Sequence, residues 1–589
     1  MLINSSKYLT LKELSIGNKV SVLIYLTKFS PYRSTRSCIL YVPRNGLFPE
    51  NLDVADFIKR GIPYLYICDD FVEAYAGIFR PERIFYLIHS ASSVQNKLKI
   101  LISDDIFYII KSLRESIIVD EEALASFLEL GRTVGEHTLI EHIKLLDAGF
   151  ILRIDENRVK LDLGFRYGET SVLTKSIEDL NDEFVNIIFN VFREYIDVAK
   201  RENAILTVPL SAGIDSRFVL SVINILGYRD VVTVTYGLRE SEYPVARRIA
   251  ETLGYENIFI EYTWDLWRNY IKDMWNYMVW ASQFVTTPNI QEYITVRELL
   301  RLCSQDKIKC EKILMVTGDI SNVVAGKDPY PPELLRVRSI EGLVDFITNK
   351  NTLFSDFPKR KERMLLKGSL LKFFYKTINW YEGKIDITTM YEVFHWKDRH
   401  FKYISSVRLP YVYYGLRYIT PLWDGRIVKF LSSIPWPLRY KLNLYNRVLK
   451  ENFFKVLGVD FDDPTKSSKT KLIPDLLADY LRYLKLFGFK KLPMYILRGR
   501  ESKNPCGFDV YFPRMFTITY ATIAKKVSKD RELKMDSNVK PFVVTIKTYL
   551  KAIPQDIIAF NTLTTFLLLN ETLMYGPLMG GDFNEINLT

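Results

Sequence analysis

The chain has 589 residues, 48% of them hydrophobic and 25% charged, with a net charge of +11. This balance excludes a disordered or solvating chain and describes a globular protein of two or three domains with large buried cores. Five cysteines without C-x-x-C spacing, histidines unclustered apart from His137 and His142, and the absence of H-E-x-x-H argue against a disulfide framework and a zinc site.

Residues 1 to about 165 alternate short apolar runs, among them VSVLIYL, IPYLYIC, RIFYLIHS and DIFYIIKSL, with polar turns, which predicts a sheet-rich sandwich. From Thr174 to Lys200 the apolar residues Leu180, Phe184, Ile187, Ile188 and Val191 recur at helical spacing, predicting an amphipathic helix that leads into a second domain, 166–465. There an apolar run from Ile205 opens onto the small-residue loop LSAGIDS, Leu210 to Ser216, and then a helix-like segment. A second strand, VVTVTYG from Val231 to Gly237, precedes Glu240, Ser241 and Glu242 and a helix from Pro244 to Leu253, and a third run, KILMVTGD, ends at Asp319. Strands alternating with helices predict an α/β domain with a doubly wound parallel sheet, in which ligands sit at the carboxyl ends of the strands. The polar stretch Asp462 to Lys469 marks a boundary, and 466–589 reads as a mainly helical extension. No charged-then-apolar leader opens the sequence and no apolar run reaches about eighteen residues. Ile557 to Leu578 comes closest, interrupted by Asn561, Asn570 and Glu571. A cytoplasmic protein with no transmembrane segment is expected. The basic excess is spread over the chain, so a solvated surface with local anion sites is expected and no nucleic-acid partner.

The loop LSAGIDS suits phosphate: small residues let backbone N–H groups approach phosphate oxygens, and the following helix presents the positive end of its dipole. It is not of the Walker type, because G-x-x-x-x-G-K-[ST] does not occur. Taken alone, it also reads as a plain βα turn in which Gly213 relieves strain. It resembles the pyrophosphate loop S-G-G-x-D-S of the N-type ATP pyrophosphatases. TGDISNVVAGK (Thr317 to Lys327) is similar to S-G-E-G-A-D-E-L-F-G-G of the asparagine synthetase family. WKDRHFKY (Trp396 to Tyr403), TPLWDGRIVKFLSSIP (Thr420 to Pro435), RYKLNLYNRVLKENF (Arg439 to Phe453) and TLIEHIKLLDAGF (Thr138 to Phe150) resemble further segments of that family in order and spacing. The resemblance covers roughly residues 70 to 460. It implies an N-terminal αββα Ntn-hydrolase-like sandwich, 1–165, followed by an ATP-pyrophosphatase domain.

Two departures matter. Class II glutamine amidotransferases use an N-terminal cysteine as nucleophile, whereas this chain begins Met1-Leu2-Ile3, its first cysteine is Cys38 inside an apparent strand, and no N-G-E segment is found. The resemblance therefore implies a degenerate amidotransferase-like domain, and, if the enzyme makes an amide, nitrogen from ammonia, a separate ammonia-supplying subunit or an amine substrate is expected. In the second domain Asn322 and Val323 occupy the positions of a paired Asp-Glu, which argues against ordinary aspartate as the substrate.

The resemblance implies a ligase that adenylates a small-molecule carboxylate, aspartate or another acid, with ATP and Mg²⁺. Asp215, Asp319 and Lys441 are the candidate catalytic residues; Leu210, Ser211, Ala212, Gly213, Ile214, Ser216, Val234, Thr235, Thr317 and Gly318 would bind ATP and pyrophosphate, and Asp215 and Asn322 would hold the metal. Arg217 and Lys441 also read as surface charges, and Asp424 as a helix N-cap. A homodimer is compatible with this reading. An inactive nucleotide-binding scaffold and a tRNA-modifying ATP pyrophosphatase remain the alternatives.

Overall fold

A computed structural model describes residues 10–17, 19–89, 98–112, 117–169, 175–305, 312–320, 323–327, 333–351, 353, 360–461, 562, 565 and 569. The fold is mixed α/β, with three sheets among the described residues. Most of the expected extension 466–589 lies outside them.

Two sheets come from the N-terminal part. One has five strands in the order Thr10–Ile16, Val20–Leu26, Leu98–Ser103, Phe85–His89 and Lys144–Leu145, with a single parallel pairing between Val20–Leu26 and Leu98–Ser103. The other is antiparallel throughout, with six strands in the order Val159–Leu163, Phe150–Asp155, Phe71–Tyr75, Tyr64–Cys68, Cys38–Pro43 and Phe29–Ser34. The apolar alternation of VSVLIYL becomes the burial of Val20, Val22, Ile24 and Leu26, because successive side chains of a strand face opposite sides.

Cys38 and Cys68 stand directly opposite each other on neighbouring antiparallel strands and form a disulfide, and Cys303 is disulfide-bonded as well. The expectation of unpaired thiols is therefore corrected. The sequence places the first pair 30 residues apart; only strand register brings them into contact. Such bonds persist in oxidising compartments, or inside hyperthermophiles.

The third sheet is parallel throughout. Its strands are β1 (Ile205–Pro209), β2 (Val231–Gly237), β3 (Glu256–Glu261), β4 (Ile313–Val316) and β5 (Arg417–Ile419), arranged β3-β2-β1-β4-β5. The order reverses between β1 and β4. At such a switch point the connections leave toward opposite faces and open a crevice beyond the strand ends.

The helix Ile177–Arg201 begins at Ser176, whose side chain accepts from the Asp179 amide in a reciprocal capping box. Its buried stripe packs beneath the third sheet's helices: Phe184 stacks on Phe430 at 5.6 Å and lies 6.1 Å from Tyr445. The N-terminal part is fastened to the parallel sheet at β5. The Tyr418 amide donates to Asn45 O at 2.8 Å, and Asn45 Nδ2 donates to Leu416 O at 2.9 Å. Gly425 is required by a close approach, since a Cβ there would sit 2.3 Å from the carbonyl oxygen of Lys59.

Candidate functional site

The crevice at the switch point is built from the loops that follow β1 and β4. Beyond β1, the Leu210 amide donates to Val234 O at 2.9 Å and its carbonyl accepts from Thr235 Oγ1 at 2.9 Å, which anchors the chain before it turns. The turn is held by its own serines. Ser216 Oγ accepts from the Ser211 amide at 3.1 Å and lies 3.0 Å from Ser211 Oγ, which in turn accepts from the Gly213 amide at 3.1 Å. Gly213 is the N-cap of the helix Ile214–Ile225, and no side chain caps that helix start. An uncapped start of a twelve-residue helix, with the Ser211 hydroxyl ahead of it and the Ser216 hydroxyl in its first turn, is chemistry suited to an anion.

Arg217, one candidate for a surface charge, is instead buried: its guanidinium donates to Ala212 O at 3.1 Å and to Val459 O and Phe461 O at 3.0 Å. It ties the underside of the loop to the end of the helical segment before residue 461.

Asp215 joins the two loops. Its Oδ2 accepts from the Ile320 amide at 3.0 Å, and its Oδ1 accepts from Tyr445 Oη at 3.0 Å. Gly318 lies against its backbone, so tightly that a Cβ would come within 2.8 Å of the Asp215 carbonyl oxygen. Beside it, the Thr317 amide donates to Ile419 O at 3.2 Å, extending the pairing of β4 with β5.

Asp319 pairs with Arg408, which is fully buried and also donates from Nε to Thr317 Oγ1 at 2.9 Å. Trp423 Nε1 donates to the Asp319 carbonyl at 2.6 Å. Phe79, from the N-terminal part, stacks on Trp423 at 3.7 Å and carries the Arg408 guanidinium 4.5 Å from its ring centroid. The Asp319 side chain keeps 26% of its exposure. Burial pushes its pKa up to about 6 against the pull of Arg408, and the Asp215 carboxylate adds to the rise. Behind Arg408 lies buried Glu292, hydrogen-bonded by Tyr236 Oη at 3.1 Å and by Tyr411 Oη. Burial raises the Glu292 pKa to about 8, with Arg408 opposing.

The structure thus brings together Leu210 to Ser216 with Thr317, Gly318 and Asp319. Val234 and Thr235 are fully buried in the sheet, and the Thr235 hydroxyl is occupied by Leu210 O and Asn257 Nδ2. Lys441 is exposed on a left-handed turn with φ of 53°, its ammonium 5.3 Å from the Tyr440 ring, and no described contact ties it to the loop. Val323 is buried, while Asn322 lies outside the described residues. Asp424 is a helix N-cap, accepting from the Arg426 amide at 3.0 Å.

Four residues of the site escaped sequence reasoning: Phe79, Glu292, Arg408 and Tyr445. Only Arg408 left a usable signal, a lone charge ahead of the apolar run LPYVYY. No protein-family model matches the chain, and no curated protein matches it.

Proposed function

We propose that the chain is an ATP-dependent, AMP-forming amide ligase of the asparagine synthetase type, acting on a small carboxylate with ammonia or an amine, without glutaminase chemistry of its own. The observation that carries this reading is the pairing of an uncapped, serine-lined helix start with two coupled carboxylates, Asp215 and Asp319, at the switch point of a parallel sheet. The two N-terminal sheets support the sandwich half of the resemblance.

A free carboxylate is a poor acyl donor because its leaving group would be oxide. In the proposed reaction a carboxylate oxygen attacks the α-phosphorus of ATP, the bond to pyrophosphate breaks, and the nitrogen nucleophile then displaces AMP and loses a proton. Amides and hydroxyls of Ser211 to Ser216 would hold the departing pyrophosphate. Asp319, raised toward neutrality and partly exposed, suits the role of proton acceptor. Asp215 and Asp319 supply oxygen ligands of the kind Mg²⁺ takes, and the ion when bound would neutralise phosphate charge.

One observation favours a second reading, a nucleotide-binding scaffold. Both Asp215 oxygens accept protein donors, Asp319 is paired with Arg408, and Val323 offers no ligand. Pyrophosphate release from ATP and Mg²⁺, screened across carboxylates with ammonia and with glutamine, separates the two. Release that requires one carboxylate, accepts ammonia but not glutamine, and is lost in Asp215→Asn is expected. ATP binding without release under any mixture would establish the scaffold.

A further inference from the structure

A second site lies apart from the strand-end crevice and shares no residue with it. It is a cavity of about 220 Å³ between the helix Arg360–Trp380 and the strands Phe85–His89, Phe150–Asp155 and Val159–Leu163. Part of its lining is aromatic: Phe150 and Trp380 meet edge to face at 5.0 Å, and Phe373 joins them.

The remainder is rich in hydrogen-bond donors. Lys397 is buried, with Nζ 3.1 Å from Asp147 Oδ2 and 4.1 Å from the Phe150 ring centroid. Lys376 donates to Glu136 Oε2 at 2.6 Å. An ammonium carries three N–H groups, and one acceptor is found for each lysine among the described residues. The other oxygen of Asp147 is taken by the Ala148 amide at 2.9 Å. Tyr86 adds a hydroxyl to the same lining. The lining holds three lysines, Lys372, Lys376 and Lys397, against two carboxylates, Glu136 and Asp147, so cations outnumber anions. The occupant that fits carries acceptor oxygens and negative charge at one end and a flat apolar body at the other.

Size narrows the choice. An apolar cavity of about 150 Å³ holds benzene, so this one accommodates a benzene ring with a short acid arm. We propose that this cavity binds a small aryl carboxylate, its acid group held by Lys397 and Lys376 with the Tyr86 hydroxyl, its ring against Phe150, Phe373 and Trp380. Burial already pushes the Lys397 ammonium below its usual pKa against the pull of Asp147, and an incoming carboxylate adds to that pull.

The test uses the full chain titrated calorimetrically with phenylacetate, phenylacetamide and acetate. Phenylacetate should bind at least about tenfold more tightly than either companion, since a charge-assisted hydrogen bond and a buried ring each contribute on that scale. Lys376→Gln, at a side chain 45% exposed where folding is not at stake, should remove most of the preference for acid over amide. The double variant Lys397→Met with Asp147→Asn, which leaves no buried charge alone, should abolish it. Equal affinities for the acid and the amide, no binding of any of the three, or a preference untouched by both variants would each overturn the proposal. Pyrophosphate release plays no part in the readout, so the proposal stands or falls independently of the ligase reading.

Discussion

Two ion pairs with buried cations, one in each region described above, show how neighbours decide what the same chemistry does. At the strand ends Asp319 faces Arg408, yet burial and the Asp215 carboxylate lift its pKa to about 6. In the cavity, burial works on Asp147 in the same sense, but Lys397 and a second cation, Lys402, win and hold its carboxyl below the usual range. One carboxylate has a second acid beside it, and the other has a second cation, Lys402, itself paired with Asp398. The first pair suits proton transfer near neutrality, the second the capture of an anion.

The largest effect should come from Gly318→Ala. A Cβ 2.8 Å from the Asp215 carbonyl must push the two loops apart, and a displacement of that kind should lower pyrophosphate release about a hundredfold. Unchanged release would separate the loops from the chemistry.

Next come the ion pairs themselves. Arg408→Met deprives Asp319 of its cation and should cost about 3 kcal/mol in denaturant unfolding. Lys397→Met should cost less, about 1–2 kcal/mol, because Lys402 still acts on Asp147. The reverse order would show that the cavity pair, not the crevice pair, is the structural one.

The pH dependence should differ in sign. A carboxyl raised on folding contributes stability that is fully present below its unfolded pKa and is lost as pH rises through the folded value. For Asp319 that window runs from 3.8 to about 6, and for Glu292 from 4.5 to about 8. Asp147, held low, contributes stability that is lost as pH falls. Urea titrations across pH should therefore show the loss of stability toward pH 8 flattened by Glu292→Gln and, at its acid end, by Asp319→Asn. Neither variant should alter the acid-side loss that belongs to Asp147.

The smallest effect is that of Tyr445→Phe, which removes a hydrogen bond to Asp215 at 3.0 Å and should cost about 1 kcal/mol. Thermal unfolding together with the KM for ATP would register it.

The contrast also shows what the sequence could convey. Three of the five strands of the parallel sheet were legible because LTVP–LSAGIDS, VVTVTYG and ILMV–TGD each carry an apolar run ending in small or acidic residues, a local pattern, whereas Glu256–Glu261 and Arg417–Ile419 were not. Arg408 meets Asp319 from 89 residues away, Tyr445 meets Asp215 from 230, and Glu292 meets Tyr236 and Tyr411 from 56 and 119. Nothing local distinguishes a tyrosine in NLYNRVL that meets a carboxylate from one that fills a core. The cavity was invisible for the same reason, since Lys376 sits on one helix and Lys397 on a later π-helix, His395–Ile404, and their partners Glu136 and Asp147 belong to the N-terminal part.

The fastening of Tyr418 to Asn45 has a consequence for the birth of the molecule. Strand β5 is hydrogen-bonded on one side to β4 and on the other to a segment 371 residues earlier at Asn45–Leu416. Loop closure over such a span is slow, and domains emerging from the ribosome usually fold in order. Here the N-terminal sheets can form early, but the loop at Asn45 and the ring of Phe79 must wait for Leu416, Tyr418 and Trp423 to be synthesised. Until then the Phe79 ring and the edge of β4 that pairs with β5 lack their partners, and transiently exposed apolar surface and unpaired strand edges favour misassembly.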